Sequence, residues 1–298
     1  MRAHPLILVP LAGLLLFGQE ESALPRVTLR VDTNVVLVPV TVLDAAQRMV
    51  TGLEAENFQV LEDGVPQKLV SFGSEDAPLS IGIVLDTSGS MGGNLAISRR
   101  AVAEFFKSAN PEDEAFLVEF NNQPDLVLPF THDLHEIENR IMFTKSKGNT
   151  ALLDGITLSV AQMKKATNPR KALILVSDGG DNHSRYTEAE VRNRVKEPDV
   201  QIYAMGIFSG GGDINDDPIL LRRLAALTGG RHFETSLRDM EDVAQKIGIE
   251  LRNTYLLGYV STNKNRDGKY RSINVKVTAR GVGKLTPSWR RGYFAPAR

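Results

Sequence analysis

The chain has 298 residues, 42% apolar and 24% charged, a formal net charge of −1 at pH 7 and no cysteine. This is an ordinary globular composition at a length that favours two domains or one elaborated domain, and it gives no electrostatic footprint for non-specific nucleic-acid binding. The lack of cysteine excludes disulfides, thiolate metal sites and thiol nucleophiles, although it does not identify a compartment.

The N-terminus has the pattern of a secretory signal. Arg2 and His4 precede an apolar stretch, Leu6–Phe17, and polar residues follow. This stretch is short for a bilayer span but fits the apolar region of a signal peptide, so residues 1–23 are predicted to be one. The alternatives are a buried core helix or an uncleaved anchor. No later run is long and apolar enough to span a membrane, and the mature chain is expected to be exported: periplasmic, secreted or at the cell surface.

Residues 27–75 are predicted to form β structure. Val35–Leu43 is rich in β-branched residues, and Pro39 within it indicates a sheet edge or a bulge. Asp63-Gly64 strongly favours a two-residue hairpin turn. The other expected elements are a helical turn at Thr51–Asn57 and strands at Phe58–Leu61 and Val65–Phe72.

From residue 78 to 252, strand and helix patterns alternate, which predicts a doubly wound, mostly parallel, Rossmann-like α/β sheet. The link between the second and third strands is too short for a crossover, so these two should pair antiparallel at an edge. The expected strands are Ile81–Leu85, Glu114–Phe120, Asp125–Phe130, Lys171–Ser177, Val200–Ile207 and Arg231–Phe233. Helical spacing of apolar residues marks helices around Leu95–Phe106, Leu152–Met163 and Leu237–Leu251.

Residues 253–298 return to β structure, with strands expected at Tyr255–Val260, Tyr270–Thr278 and Leu285–Phe294. Three strands from each end of the chain would make a small β-sandwich. The α/β domain, residues 78–252, is therefore predicted to be inserted into a β domain built from both ends of the chain.

Hard oxygen ligands follow two buried strands of the α/β domain. The pentad Asp86–Ser90 places Asp86, Ser88 and Ser90 at the carboxyl end of the first strand, and Asp178 follows the strand Lys171–Ser177. In open α/β sheets, ligands bind at this edge, where the strand order reverses. Thr150 stands just before a predicted helix, where its hydroxyl could cap the helix or face a cation. The pattern indicates a divalent-cation site.

These residues resemble the metal-ion-dependent adhesion site of von Willebrand factor type A domains, across residues 78–252. The segments Leu61–Gly64, Pro78–Gly82, Leu256–Tyr259 and Arg291–Phe294 look like the flanks of an exported bacterial subfamily with such a domain.

The resemblance implies that Ser88, Ser90 and Thr150 ligate the metal directly, while Asp86 and Asp178 bind it directly or through water. The implied ion is Mg²⁺, with Mn²⁺ also accommodated by oxygen ligands. A carboxylate from a partner protein would take the sixth position, because two carboxylates of this chain nearly neutralise the dication. The implied function is an exported, non-enzymatic protein-binding or cell-adhesion module.

Structural roles without a metal stay open for each part of the motif. The pentad could be a turn held by hydrogen bonds between side chains and backbone, and Thr150 could be a helix N-cap. Residues 181–183 are expected to be solvated loop residues at the rim. The loop Gly210–Asp217 lacks parts of a calcium-loop pattern and is expected to be a flexible acidic loop. Gly89, Gly92 and Gly93 are expected to let the pentad loop curl.

Two other functions compete with the binding module. The first is an envelope-assembly scaffold in which the metal site is structural. The second is a serine hydrolase using Ser88 or Ser90, but the first glycine of a nucleophile elbow is missing and no histidine follows a convincing triad acid. His183 lies nearest in the sequence and is the histidine to test.

Overall fold

The computed structural model describes residues 35–74, 76–197, 199–207 and 218–297. The predicted signal peptide at 1–23 and the predicted acidic loop Gly210–Asp217 lie outside these residues. The strands are β1 (Val35–Leu43), β2 (Phe58–Glu62), β3 (Val65–Gln67), β4 (Leu69–Gly73), β5 (Leu79–Asp86), β6 (Glu114–Phe120), β7 (Pro124–Thr131), β8 (Arg170–Ser177), β9 (Gln201–Ile207), β10 (His232–Thr235), β11 (Tyr255–Val260), β12 (Tyr270–Val277), β13 (Thr286–Trp289) and β14 (Gly292–Phe294). The α-helices are α1 (Leu95–Phe106), α2 (Leu134–Met142), α3 (Leu152–Met163), α4 (Glu188–Arg194), α5 (Pro218–Thr228) and α6 (Met240–Arg252), with 3₁₀ turns at Ala55–Asn57 and Gly89–Gly93.

A mixed sheet lies at the centre of the α/β part. Among the described residues its strand order is β10-β9-β8-β5-β6-β7, with all neighbours parallel except β6 and β7. The predicted doubly wound α/β fold is confirmed in this form, including the antiparallel edge strand. Because the chain leaves β5 towards β6 on one side and returns to β8 on the other, the strand order reverses at β5.

Helices cover both faces of this sheet, as its continuous apolar strands require. Every residue of β5 is buried. Ile81, Ile83 and Leu85 pack in one hydrophobic cluster with α1, α2 and α6, while Val84 packs in a second cluster with α3, α4 and α5. A Cβ at Gly82 would overlap the side chains of Leu173 and Phe116, so glycine is required for this close approach.

The helices begin at signals that the sequence carries. Asp133 caps α2, and Thr187 forms a capping box with Glu190 at the start of α4. The apolar spacing alone had marked neither helix, nor α5. Helix α6 begins at Met240 rather than at Leu237, which packs against the core just before it. None of the helices within the described residues is long and apolar enough to cross a membrane.

The strands outside the central sheet form two further sheets, each with strands from both ends of the chain. Within the described residues their orders are β13-β1-β11-β4 and β14-β12-β2-β3. Side chains of β1, β2, β11 and β12 share one hydrophobic cluster. The small sandwich and the domain boundaries stay predictions.

Local geometry confirms the predicted hairpin and revises two strands. Asp63 and Gly64 both have positive φ, +47° and +81°, in the two-residue turn between β2 and β3. The expected strand Val65–Phe72 is wrong as one element, because β3 and β4 belong to different sheets, and Leu285–Phe294 divides in the same way into β13 and β14. Strand β1 is interior rather than an edge, but its pairing with β13 begins only at Val40, one residue after Pro39.

Candidate metal centre

Asp86 ends the central strand β5 and is completely buried. Its carboxylate accepts hydrogen bonds from the Ser177 hydroxyl at 2.7 Å and from the Ser88 backbone N–H at 2.9 Å. Burial raises the pKa of Asp86 to about 6, the nearby charge of Asp178 adds to the rise, and the two serine contacts oppose it. Both hydrogen-bond donors to this buried carboxylate are neutral groups.

Ser88 and Ser90 follow on a tight 3₁₀ turn, Gly89–Gly93. Their hydroxyl oxygens lie 3.0 Å apart, and neither caps the turn through its side chain. Ser88 is buried and Ser90 is exposed. The two hydroxyls therefore sit side by side between the buried Asp86 and solvent.

The pentad loop curls into the 3₁₀ turn Gly89–Gly93 without left-handed backbone angles at its glycines. The positive-φ glycines of the described chain include Gly148 and Gly179 in the neighbouring loops, but not Gly89, Gly92 or Gly93. The two loops approach closely at Gly89, where a Cβ would lie 3.2 Å from the Gly148 carbonyl oxygen.

Thr150 is buried and is not the N-cap of α3. The helix begins at Leu152 with Ala151 as N-cap and no side-chain cap bond. The Thr150 carbonyl instead accepts the backbone N–H groups of Asn182 and His183 at 3.0 and 3.1 Å, and its own N–H donates to the Asn182 side chain at 2.9 Å. Three hydrogen bonds therefore hold the Thr150 backbone in place.

Asp178 directly follows β8 and is nearly buried. The chain turns sharply after Asp178, at Gly179, whose φ of +88° is one that residues with a side chain rarely adopt. Since β5 and β8 are neighbouring parallel strands in register, Asp86 and Asp178 leave the sheet at the same edge, where the charge of one affects the other.

Hydrogen bonds join the three loops that carry the five predicted ligands. The Gly89 N–H donates to the Gly148 carbonyl at 3.0 Å, and the Lys147 N–H donates to the Thr87 carbonyl at 2.8 Å. The Asn182 contacts then connect the Thr150 loop to the loop after β8. The fold thus brings Asp86, Ser88, Ser90, Thr150 and Asp178 to one edge of the sheet.

Three supporting residues escaped the sequence analysis or were assigned another role. Ser177 bonds Asp86 across the sheet, and the parallel register of the two strands is the signal that could have revealed it. Asp181 and Asn182, expected to be solvated rim residues, are half-buried and exposed respectively, and both also make structural contacts. Asp181 accepts the Leu152 N–H at 3.0 Å and the Ser184 hydroxyl at 2.6 Å, satisfying the start of α3 from another loop.

Removing the Asp181 carboxylate tests this support. Asp181→Ala is expected to lower the free energy of unfolding by about 1 to 2 kcal/mol, as for a lost helix cap. Asp181→Asn retains an acceptor oxygen and should lose less than half as much. Urea denaturation followed by circular dichroism measures both, and a wild-type midpoint for Asp181→Ala would contradict the capping role.

The chemistry of the site is that of hydroxyls and carboxylates. Within the described residues no three histidine or acidic side chains cluster as a metal site, so any cation here depends on the serine and threonine hydroxyls. The histidine rings bond elsewhere: His132 contacts the Asp113 carbonyl and His135 contacts Glu138. His183 approaches Thr150 through its backbone N–H.

Comparisons with known proteins find relatives that share part of this chain. An uncharacterized protein of Borreliella burgdorferi is 24% identical over 183 residues, covering 58% of this chain and 51% of that protein. Inter alpha-trypsin inhibitor heavy chain 4 of Mus musculus is 25% identical over 211 residues, covering 64% of this chain and 22% of that protein. This chain therefore spans about half the length of the first relative and about a fifth of the second.

A solved structure shares the fold over most of the chain. The von Willebrand factor type A protein from Catenulispora acidiphila superposes with a TM-score of 0.52 at 11% identity, covering 88% of this chain and 74% of that one. The segment that carries all five predicted ligands, residues 81–180, matches the family model of the von Willebrand factor type A domain.

Proposed function

We propose that this chain is an exported, non-enzymatic protein-binding module that holds Mg²⁺, or Mn²⁺ in its place, at Asp86, Ser88, Ser90, Thr150 and Asp178. The cation would engage a carboxylate of a partner protein, as a metal-ion-dependent adhesion site does. The support for a protein-interaction role is the match of residues 81–180 to the von Willebrand factor type A family.

The buried carboxylate of Asp86 carries the metal part of the proposal. A fully buried acid at a strand-order reversal, with its pKa raised by burial and a second acid nearby, needs a cation to be stable when ionised. Adjacent hydroxyl oxygens at 3.0 Å suit Mg²⁺, which prefers oxygen ligands and retains open positions for other groups. When bound, the cation would supply a positive charge to which an external carboxylate can coordinate.

The pair of acids also fits an acidic partner. Asp86 and Asp178 together balance the charge of a dication, so a third carboxylate meets little net repulsion. A hydrolase finds no comparable support, because Ser88 and Ser90 contact each other and the rings of His132 and His135 bond Asp113 and Glu138.

Partner capture tests the function directly. The purified chain, immobilised, is incubated with an envelope extract of the source cells in Mg²⁺ or in EDTA, and then again as Asp86→Ala. We expect a protein retained in Mg²⁺ and reduced at least about tenfold by EDTA or by Asp86→Ala. The matched control is Glu112→Gln. Glu112 is an exposed acid just before β6, at the edge of the sheet away from the candidate metal centre, and this variant should capture the partner as wild type does.

The competing outcomes separate the alternatives. Equal recovery in Mg²⁺, in EDTA and with Asp86→Ala would refute carboxylate capture through the metal. If calorimetry then still showed Mg²⁺ binding that Asp86→Ala abolishes, the metal would be structural and the scaffold function would be favoured.

A further inference from the structure

A cleft of 540 Å³ opens beside the candidate metal centre. It lies between the end of β6, the start of β7, the end of α2 and residues 144–147. Lys147 lines it, and the backbone of the same residue bonds the pentad loop at Thr87. The next residue, Gly148, accepts the Gly89 N–H. Backbone hydrogen bonds thus connect one wall of the cleft to the pentad loop. We call this cleft the Lys147 cleft.

An exposed aromatic side chain lies at the far end of the Lys147 cleft. Phe143 is 80% exposed and the preceding Met142 is 60% exposed, both at the end of α2. Arg99 holds the turn from beneath, donating to the Ile141 carbonyl at 3.0 Å and to the Thr144 carbonyl at 2.7 Å. Phe143 is therefore presented on a fixed turn, so a ligand that covers it need not order the backbone first.

Basic side chains line the path from the pentad loop to Phe143. Lys147, Lys145 and Arg140 are exposed along the cleft. Two acids face it as well: Glu119 is partly buried and accepts the Thr144 hydroxyl, while Asp125 is exposed on β7. Three cationic side chains against two acids leave the lining with a net charge of +1, and the bases at Lys145 and Lys147 adjoin the pentad loop, so this part of the cleft complements an acidic segment.

We propose that the Lys147 cleft receives the continuation of the partner segment whose carboxylate the metal centre binds. Its occupant is a peptide segment of a partner protein with a second acidic residue beside Lys145 and Lys147 and an apolar side chain on Phe143. The inference rests on the proposed function, because the metal-bound carboxylate fixes where the segment begins.

Selection from a random dodecapeptide library displayed on phage tests the cleft. The full chain is panned in Mg²⁺ and bound phage are eluted with EDTA, so that only metal-dependent peptides are recovered. The variants are Lys145→Glu with Lys147→Glu, Phe143→Ser, and Asp86→Ala. Matched controls are Lys264→Glu with Lys284→Glu, which makes the same charge change on exposed loops, and Val65→Ser, which removes another exposed apolar side chain (52% exposed).

Wild type should enrich peptides that have two acidic residues and an apolar residue within a few positions. Lys145→Glu with Lys147→Glu should bind the enriched peptides about fivefold more weakly and lose the second acid from its own selection. Phe143→Ser should weaken binding about tenfold and lose the apolar preference. The two controls should select the wild-type motif, and Asp86→Ala should yield no EDTA-eluted peptides.

Two failures are distinguishable. If wild type and the cleft variants enrich the same peptides with one shared acid, the cleft proposal is overturned while the metal-dependent function stands. If wild type yields no EDTA-eluted peptides, the proposed function fails and the cleft proposal fails with it.

Discussion

Glu62→Leu is expected to lower the free energy of unfolding by about 3 kcal/mol, because it leaves the buried Arg271 without its nearest acid and with only Asp267 at 4.0 Å. The Arg271 side chain is 4% exposed and its guanidinium contacts the Glu62 carboxylate at 3.3 Å. The same carboxylate accepts the hydroxyls of Tyr259 at 2.7 Å, Tyr293 at 2.9 Å and Ser261 at 2.5 Å. Burial and the Glu62 charge hold the pKa of both tyrosines above the ordinary value.

Companion variants separate the charge from the packing. Glu62→Leu with Arg271→Leu removes both charges and should recover a large part of the loss, since a buried ion pair can be replaced by apolar groups more cheaply than it can be broken. Tyr293→Phe removes one hydrogen bond to the carboxylate and should cost about 1 kcal/mol. Urea unfolding of each variant measures these changes in the free energy of unfolding, provided that its dependence on urea concentration has the same slope in every variant. A loss below about 1 kcal/mol for Glu62→Leu would contradict the network.

This network explains what the flanking sequence motifs do. Leu61–Gly64, Leu256–Tyr259 and Arg291–Phe294 lie far apart in the chain, and each supplies one member: Glu62, Tyr259 and Tyr293. The resemblance identified these segments, but a sequence does not show that three hydroxyls and a guanidinium converge on one carboxylate. That convergence depends on pairing between strands from the two chain ends.

The fold was predictable where the local pattern agrees with the final pairing. The Asp63-Gly64 turn follows from residues that tolerate positive φ, and the β5 and β8 strands follow from apolar runs that are buried on both faces. Prediction failed at β3–β4 and β13–β14, because an apolar β pattern does not say which sheet a strand joins. The partners of β4 and β13, which are β11 and β1, lie far away in the sequence.

The position of the candidate site was predictable from the sequence, but the contacts that support it were not. The spacing of Asp86, Ser88 and Ser90 at a strand end is a local feature, and Asp178 follows a second strand of the same kind. Thr150 illustrates the limit: its position before a helix suggested a cap, whereas contacts from Asn182 and Asp181 fix that loop and satisfy the helix. Such contacts between loops leave no periodic signal in the sequence.

Asp86→Asn is expected to stabilise the metal-free protein at pH 7.5 by on the order of 2 to 3 kcal/mol. Burial raises the pKa of Asp86 from 3.8 to about 6, so the folded chain holds the Asp86 proton more tightly than the unfolded chain does. The ionised carboxylate therefore costs stability, and the cost is complete above about pH 6. Asparagine has a similar shape, carries no charge, and can still contact the Ser177 hydroxyl and the Ser88 N–H.

The stability difference between wild type and Asp86→Asn should depend on pH in a defined direction. Below about pH 3, Asp86 is protonated in both the folded and unfolded chains, and its charge no longer separates the two proteins. Between about pH 4 and 6 the wild type should lose stability relative to Asp86→Asn as pH rises, because only the unfolded chain releases this proton readily. Glu112→Gln, at an exposed position, should show no such trend.

Mg²⁺ should reverse the order of the two proteins at pH 7.5. A cation bound by ionised Asp86 offsets the cost of its charge, and Mg²⁺ at 1,000 times its dissociation constant adds about 4.1 kcal/mol to the folded state. This gain exceeds the stability advantage of about 2 to 3 kcal/mol expected for metal-free Asp86→Asn. The gain should fall as pH drops through about 6, where protons compete for Asp86. Asp86→Asn should gain little at any pH. Urea unfolding from pH 4 to 8, with Mg²⁺ and with EDTA, measures both effects, and an equal Mg²⁺ gain in the two proteins would rule out Asp86 as a ligand.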